Sequence, residues 1–129
     1  MAFVHLHNHT EYSLLDGLTH VKDMVRRAAD LDMPAVAITD HGVMSGVPEL
    51  CDACTAVEKE TGKKVKPIYG CEVYFTTDEE LRKDVKPKLY HLLLLAKTNE
   101  GYHNLLHLVS ESHVDNFYYK PRTTFSMLQ

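Results

Sequence analysis

The chain has 129 residues, 44% hydrophobic and 25% charged, enough for one modest core and no second domain of comparable size. A formal net charge of −4 excludes the broad basic field of a dedicated nucleic-acid binder, though bound cations can reverse the local sign and bring phosphates in. No apolar run reaches the length of a membrane span, so no membrane partner is expected, and three cysteines without a signal peptide point to a reducing, cytoplasmic setting.

In chain order, Phe3 to Leu6 is predicted as a short strand that delivers the run His5-Leu6-His7-Asn8-His9. Alternate residues of a strand share a face, so imidazoles at period two converge at its end. Asp16-Gly17 follows closely. A helix is expected from Thr19 or His20 through Leu31, with Val21, Met24, Val25, Ala28 and Leu31 as its apolar stripe, ended by Met33-Pro34. Ala35 to Thr39 is a continuous apolar run, as in a strand buried on both faces, and Asp40-His41-Gly42 comes directly after it. A second helix is predicted from about Val47 to Glu60, stopped by Gly62. Lys66 to Phe75 is a third strand and carries Glu72. Thr77 to Lys88 is charged and rich in breakers, so a solvated loop is expected. Leu92 to Ala96 is a fourth buried strand, and Thr98 caps a helix from about Glu100 to Val114.

Strands alternating with helices imply a parallel sheet, whose sites form beyond the carboxyl ends of the strands. His7, His9, Asp40 and His41 fall at such ends, with Glu72 near another. Neutral imidazole is the commonest metal-binding side chain, and nine histidines in one short chain favour a metal site over a plain scaffold. A shell mixing histidine with carboxylate suits zinc, manganese or iron better than magnesium. Asp40 is open to two readings, as a ligand or as a partner that orients a ligating histidine.

The motifs His7-Asn8-His9 with Asp16, Thr39-Asp40-His41-Gly42 and Gly70-Cys71-Glu72 resemble those of the PHP superfamily, the polymerase and histidinol phosphatase domain. The resemblance covers essentially the whole chain. It narrows to the PHP domains of bacterial replicative DNA polymerases through Phe3-Val4-His5-Leu6, Glu11 to Gly17, Lys66 to Glu72, His91 to Lys97, Gly101 to Leu105 and Phe117 to Arg122. It implies an α/β fold, the first portion of a distorted (β/α)7 barrel with parallel strands. It also implies a centre of up to three divalent metals held here by His7, His9, Asp16, His41, Glu72 and His91. Catalytic roles would fall to Asp16, Asp40, His41 and Glu72, with a metal-activated water as nucleophile and no covalent side-chain intermediate. The implied activity is 3′→5′ exonuclease proofreading at the DNA primer 3′ end, in company with the rest of the polymerase and the replisome.

The family's later ligands lie beyond residue 129, so the chain is expected to be a truncated, amino-terminal part of such a domain, inactive alone. Its exposed edge strand would leave it open to oligomerisation. Two rivals stand beside the proofreading reading: a stand-alone phosphoesterase acting on a small phosphorylated metabolite, and a non-catalytic structural module of the polymerase. His91 conflicts with simple geometry, because it precedes its strand and a parallel strand would place it at the end away from the site; either the strand begins later, or it runs the other way, or the barrel is irregular.

Other residues have plainer readings. His5 is a supporting or packing residue, His20 lies at a helix start, and His103 and His107 occupy a solvated helix face. Cys51 and Cys54 form a CxxC inside a helix, without a second pair, and are read as small helix residues. Lys120 and Arg122 are candidates for phosphate contact. Tyr118 and Tyr119 are expected to pack against a following helix rather than to stack on bases.

Overall fold

The computed structural model describes residues 3–81 and 88–129. The regular elements, in chain order, are α1 (Val21–Asp30), β1 (Ala35–Ile38), α2 (Val47–Thr61), β2 (Lys66–Phe75), β3 (Tyr90–Leu95), α3 (Asn99–Val114), β4 (Phe117–Tyr118) and β5 (Lys120–Thr123). Part of the expected 77–88 loop lies outside the described residues; its start forms a single 3-10 turn at Glu79–Leu81.

Local sequence accounts for most boundaries. α1 has no side-chain cap from His20, and the Glu11 carboxylate accepts from the Val21 N–H instead. The helix buries Val21, Val25, Ala28 and Ala29, but it ends before Leu31, which is exposed rather than part of the stripe. α2 opens with proline in its first turn and ends at Gly62, whose φ of 72° is the left-handed cap that glycine adopts without steric cost. Thr98 caps α3 as expected, its hydroxyl accepting from Gly101 N–H at 3.1 Å.

β2 is the axis of the sheet. β1 pairs with its first half in parallel, Ala35 opposite Lys66 through Ile38 opposite Tyr69, and the pairing continues as a bridge between His41 and Glu72. β5 takes up the same edge further on, Thr76 N–H donating to Thr123 at 2.9 Å just as Glu72 N–H donates to Asp40 at 3.1 Å. The other edge of β2 carries β3, and that pairing is antiparallel, Gly70 opposite Leu95 through Phe75 opposite Tyr90. The expectation of an all-parallel sheet is therefore corrected at the fourth strand. The physical reason is the connection: a parallel return needs a crossover, usually a helix, and no such helix separates β2 from β3 among the described residues.

Two further expectations change. Phe3 to Leu6 is not a regular strand. It runs beside β1 in extended form, held by Ala37 N–H to His5 and Thr39 N–H to Asn8 carbonyls. The stretch read as irregular at Phe117 to Arg122 is instead a tight β4–β5 hairpin, Phe117 opposite Pro121 and Tyr118 opposite Lys120, with Tyr119 alone at its tip.

The core lies between the sheet and its helices. All four β1 residues are buried, and Val36 and Ile38 meet Val21 and Val25 of α1, Leu50 and Val57 of α2, and Cys71 and Val73 of β2. Leu105 and Leu108 of α3 complete it. Burying a side chain of this size is worth roughly 1.5–3 kcal/mol, so the core fixes β1 and β2, and with them the site at their ends.

Candidate metal centre

Six side chains from five segments meet at the end of β1. His7 and His9 come from the amino-terminal segment beside β1, Asp16 from the turn after it, His41 from the third residue after β1, Glu72 from within β2 and His91 from the start of β3. Glu72 is the hub. It is 5% exposed. Its Oε1 lies 3.2 Å from His7 Nε2 and 3.3 Å from His91 Nδ1, and its Oε2 lies 3.3 Å from His9 Nε2 and 2.9 Å from His41 Nδ1. On its far side His41 meets Asp16, Nε2 to Oδ2 at 3.0 Å. These side chains form three overlapping trios, His7–His9–Glu72, His9–Asp16–His41 and His41–Glu72–His91, with the ligand atoms of each within 4.8 Å of one another.

The antiparallel β3 resolves the conflict over His91. Its amino end lies beside the carboxyl end of β2, where His91 sits opposite Tyr74, which is two residues from Glu72 and hence on the same face. The position that a parallel strand would have removed from the site is brought into it by the reversed direction.

The polar atoms bear on whether cations fit. Glu72 Oε2, His9 Nδ1 and His41 Nδ1 are buried and have no hydrogen-bond partner. The His41–Glu72 approach is short but misaligned for a hydrogen bond. Buried polar atoms are rarely left so, and each costs about 1–3 kcal/mol if nothing satisfies it. The His9 and His41 rings stack with centroids 4.0 Å apart. Burial, and then the proximity of His41, hold His9 below its usual pKa, which favours the neutral imidazole that binds metals. The donor set therefore suits divalent cations with nitrogen and oxygen preference.

Asp40 is not brought into this cluster. It is 1% exposed, and its carboxylate turns the other way. Oδ1 accepts from Thr10 N–H at 2.6 Å and Ser13 hydroxyl at 2.7 Å, and Oδ2 accepts from the Thr10 hydroxyl at 2.8 Å. Ser13 Oγ in turn accepts from His41 N–H at 3.1 Å. Of the two readings left open for Asp40, neither direct ligation nor direct contact with an imidazole matches this geometry; it pins the turn that carries Asp16 to the residue that carries His41. Gly17 closes that turn against Thr10, whose carbonyl oxygen would be only 1.9 Å from a Cβ there. Asn8 acts similarly between its two histidines. Its side-chain amide donates to Ala37 O at 3.0 Å, replacing a strand hydrogen bond, and its N–H donates to Thr39 Oγ1 at 2.9 Å.

The two basic candidates separate. Arg122 is 1% exposed and its guanidinium donates to Asn116 O at 2.9 Å and Glu80 O at 3.3 Å, with burial lowering its pKa. It ties the hairpin to the turn after β2 and cannot meet a phosphate, so that expectation is corrected. Lys120 is exposed, and its ammonium lies 5.1 Å from the centroid of the Tyr74 ring. Tyr74 is a site residue not anticipated from the sequence; its ring stands 6.1 Å from His41 and 5.4 Å from His91. Its place two residues after Glu72, on the same face, is the signal that could have found it.

The remaining histidines and cysteines stand outside the centre. His103 bonds its own helix at Asn99 O, His107 is exposed, and His113 contacts Gly42 O at 2.8 Å. Cys54 is buried, with its thiol pushed up to about 11, while Cys51 is exposed. Neither joins a group able to hold a metal among the described residues.

Comparison with known proteins bears on family and fold. The sequence model of the PHP domain matches residues 5–129, and the chain belongs to that family. The DNA polymerase III subunit alpha of Helicobacter pylori is 43% identical over 128 residues, covering 99% of this chain and 10% of that protein. The corresponding subunit of Treponema pallidum is 39% identical over 131 residues, covering 99% of this chain and 11% of that one. The chain thus spans about a tenth of the length of the curated relatives it matches. A solved structure from Bifidobacterium adolescentis, described as a metal-dependent phosphoesterase, superposes with a TM-score of 0.55 at 24% identity, over 87% of this chain and 34% of that one, which establishes likeness of fold. No helix of the described residues is long and apolar enough to cross a membrane.

Proposed function

We propose that residues 1–129 form the opening part of the PHP domain of a DNA polymerase III alpha subunit, acting in the bacterial cytoplasm within the replisome. In this reading they supply half or more of a metal centre that hydrolyses the terminal phosphodiester of a mispaired primer 3′ end. The complete domain would close a distorted (β/α)7 barrel around up to three divalent ions, zinc, manganese or iron. The observation that carries the reading is Glu72, a buried carboxylate facing four imidazoles with its two oxygens divided between His7–His91 and His9–His41. Such a carboxylate suits sharing between neighbouring ions, with Asp16 and His41 extending the donor set outward.

When bound, such ions supply an activated water and stabilise charge on the phosphoryl and leaving oxygens. The chain's own residues perform the rest. Glu72 and the neutral His9 form the buried base of the donor set. Asp16, exposed at the rim, is the carboxylate best placed to accept a proton from a water entering the cleft. Asp40 keeps that rim in place through Thr10 and Ser13. The Helicobacter pylori and Treponema pallidum relatives are named as DNA polymerase III alpha subunits, which favours DNA over a small phosphorylated metabolite.

The test uses the polymerase that carries this segment. His7→Ala combined with His9→Ala should abolish shortening of a mispaired 3′ end while polymerisation continues. Unchanged shortening would reject the reading, and loss of thermal stability with no shortening in the parent would favour the structural module. Hydrolysis of p-nitrophenyl phosphate without any action on DNA would favour the metabolite phosphoesterase.

A further inference from the structure

Beside the centre lies an open cleft of about 630 Å³ whose floor includes Asp16, His41 and His91. Two unusual residues line it. Leu15, at φ 68°, is fully exposed, and Tyr119, at φ 60°, is 81% exposed. They are two of only three non-glycine residues with positive φ among the described residues. The left-handed region is costly for a branched or bulky side chain, and neither residue recovers that cost by burial. The turn geometry explains the backbone, since Leu15 directs Asp16 toward His41 and Tyr119 forms the one-residue tip between β4 and β5. It does not explain the side chains, because glycine would serve both turns without strain. Large exposed apolar groups kept at strained positions along one cleft are characteristic of a ligand clamp.

The chemistry of the cleft identifies what it would hold. Its floor carries the donors for cations that attract a phosphate, and Lys120, next to Tyr119, adds a fixed positive charge at the Tyr74 ring. An aromatic ring and an aliphatic side chain flank this anionic site. Together they match one nucleotide unit, with a flat apolar base on one side and a phosphate on the other.

We infer that Tyr119 and Leu15 form a clamp for the 3′-terminal base of a single DNA strand, Tyr119 stacking on it and Leu15 closing its other face, while Lys120 neutralises the adjoining phosphate. Specificity for a frayed or mispaired end follows, because a base held in a duplex stack cannot enter between them. The inference rests on the phosphodiesterase reading above and assigns the residues that select its substrate.

The experiment titrates the manganese-loaded 129-residue chain with a single-stranded oligonucleotide. The strand carries the fluorescent base 2-aminopurine at its 3′ terminus and a phosphorothioate last linkage to prevent cleavage. Quenching of the terminal base is expected on binding, with less at an internal position. Tyr119→Ala should abolish the quenching and weaken binding about tenfold or more. Leu15→Gly should weaken binding while the thermal midpoint stays level or rises, which loss of folding could not produce. Lys120→Ala should weaken binding and flatten its salt dependence. Bound manganese, measured alongside, should be unchanged in all three variants. A chain that holds manganese but does not quench the terminal base overturns the clamp alone, as does equal quenching in Tyr119→Ala or at an internal base. A chain that fails to hold manganese overturns the metal-centre reading, and the clamp with it.

Discussion

Asp40 and Glu72 are two buried carboxylates side by side at the end of the same pair of parallel strands, 1% and 5% exposed. Asp40 accepts hydrogen bonds from three donors, all supplied by Thr10 and Ser13. Glu72 faces four imidazoles, yet its Oε2 has no hydrogen-bond partner. Depth is the same and satisfaction is opposite. A saturated buried carboxylate has nothing left for a ligand and works as a structural clasp, whereas an unsaturated one among imidazoles is a donor set awaiting cations. Burial alone would have given both the same role.

Substitutions can break this contrast. Glu72→Gln should lower metal affinity more than about a hundredfold, beyond the ~10–100-fold typical of outer partners, while far-ultraviolet circular dichroism of the metal-free chain stays native. Asp40→Ala should reverse the pattern. It strands three donors and costs about 3 kcal/mol in denaturant unfolding, with the folded fraction still binding metal. Equal metal loss in both variants would erase the distinction.

Arg122→Ala should cost about 2 kcal/mol of stability by leaving the Asn116 and Glu80 carbonyls unpaired, whereas Lys120→Ala should leave stability within about 0.5 kcal/mol. The smallest effect is at the pair His20–Glu11, which joins the Asp16-bearing turn to the start of α1. His20 is raised above 6.5, chiefly by its bond to Glu11, and Glu11 is lowered below 4.5, chiefly by its bond to His20. The raised histidine contributes fully below pH 6.5 and loses its contribution as pH rises through its folded value; the lowered glutamate contributes above pH 4.5 and loses its contribution as pH falls through its own. The stabilisation is therefore largest between those limits, small because both groups are exposed, and erased by salt. A pH series of thermal midpoints for the parent and Glu11→Gln, whose difference should shrink as pH rises through the raised His20 value, checks it.

Much of this was legible in the chain. The histidine alternation, the buried run before Asp40-His41 and the Gly62 stop each follow from periodicity or cap chemistry, and α2, β2 and α3 fall within a residue or two of their expected bounds. The direction of β3 was left open, and His91, at the wrong end of a parallel strand, was the one residue that pointed to its reversal. Roles at Asp40 and Arg122 were hidden for a different reason: residue type says that a carboxylate or guanidinium can act on a ligand, but only tertiary placement decides whether its bonding capacity is already used. The β4–β5 hairpin was masked because Tyr119 occupies a position where glycine would have signalled the turn.

The most direct measurement is elemental mass spectrometry of the chain after incubation with zinc or manganese and removal of free ion, with Glu72→Gln measured in parallel. Metal retained by the parent and lost from a folded Glu72→Gln chain is the predicted result. No retained metal, or equal retention by both, would contradict the assignment of Glu72 as the hub of a metal centre.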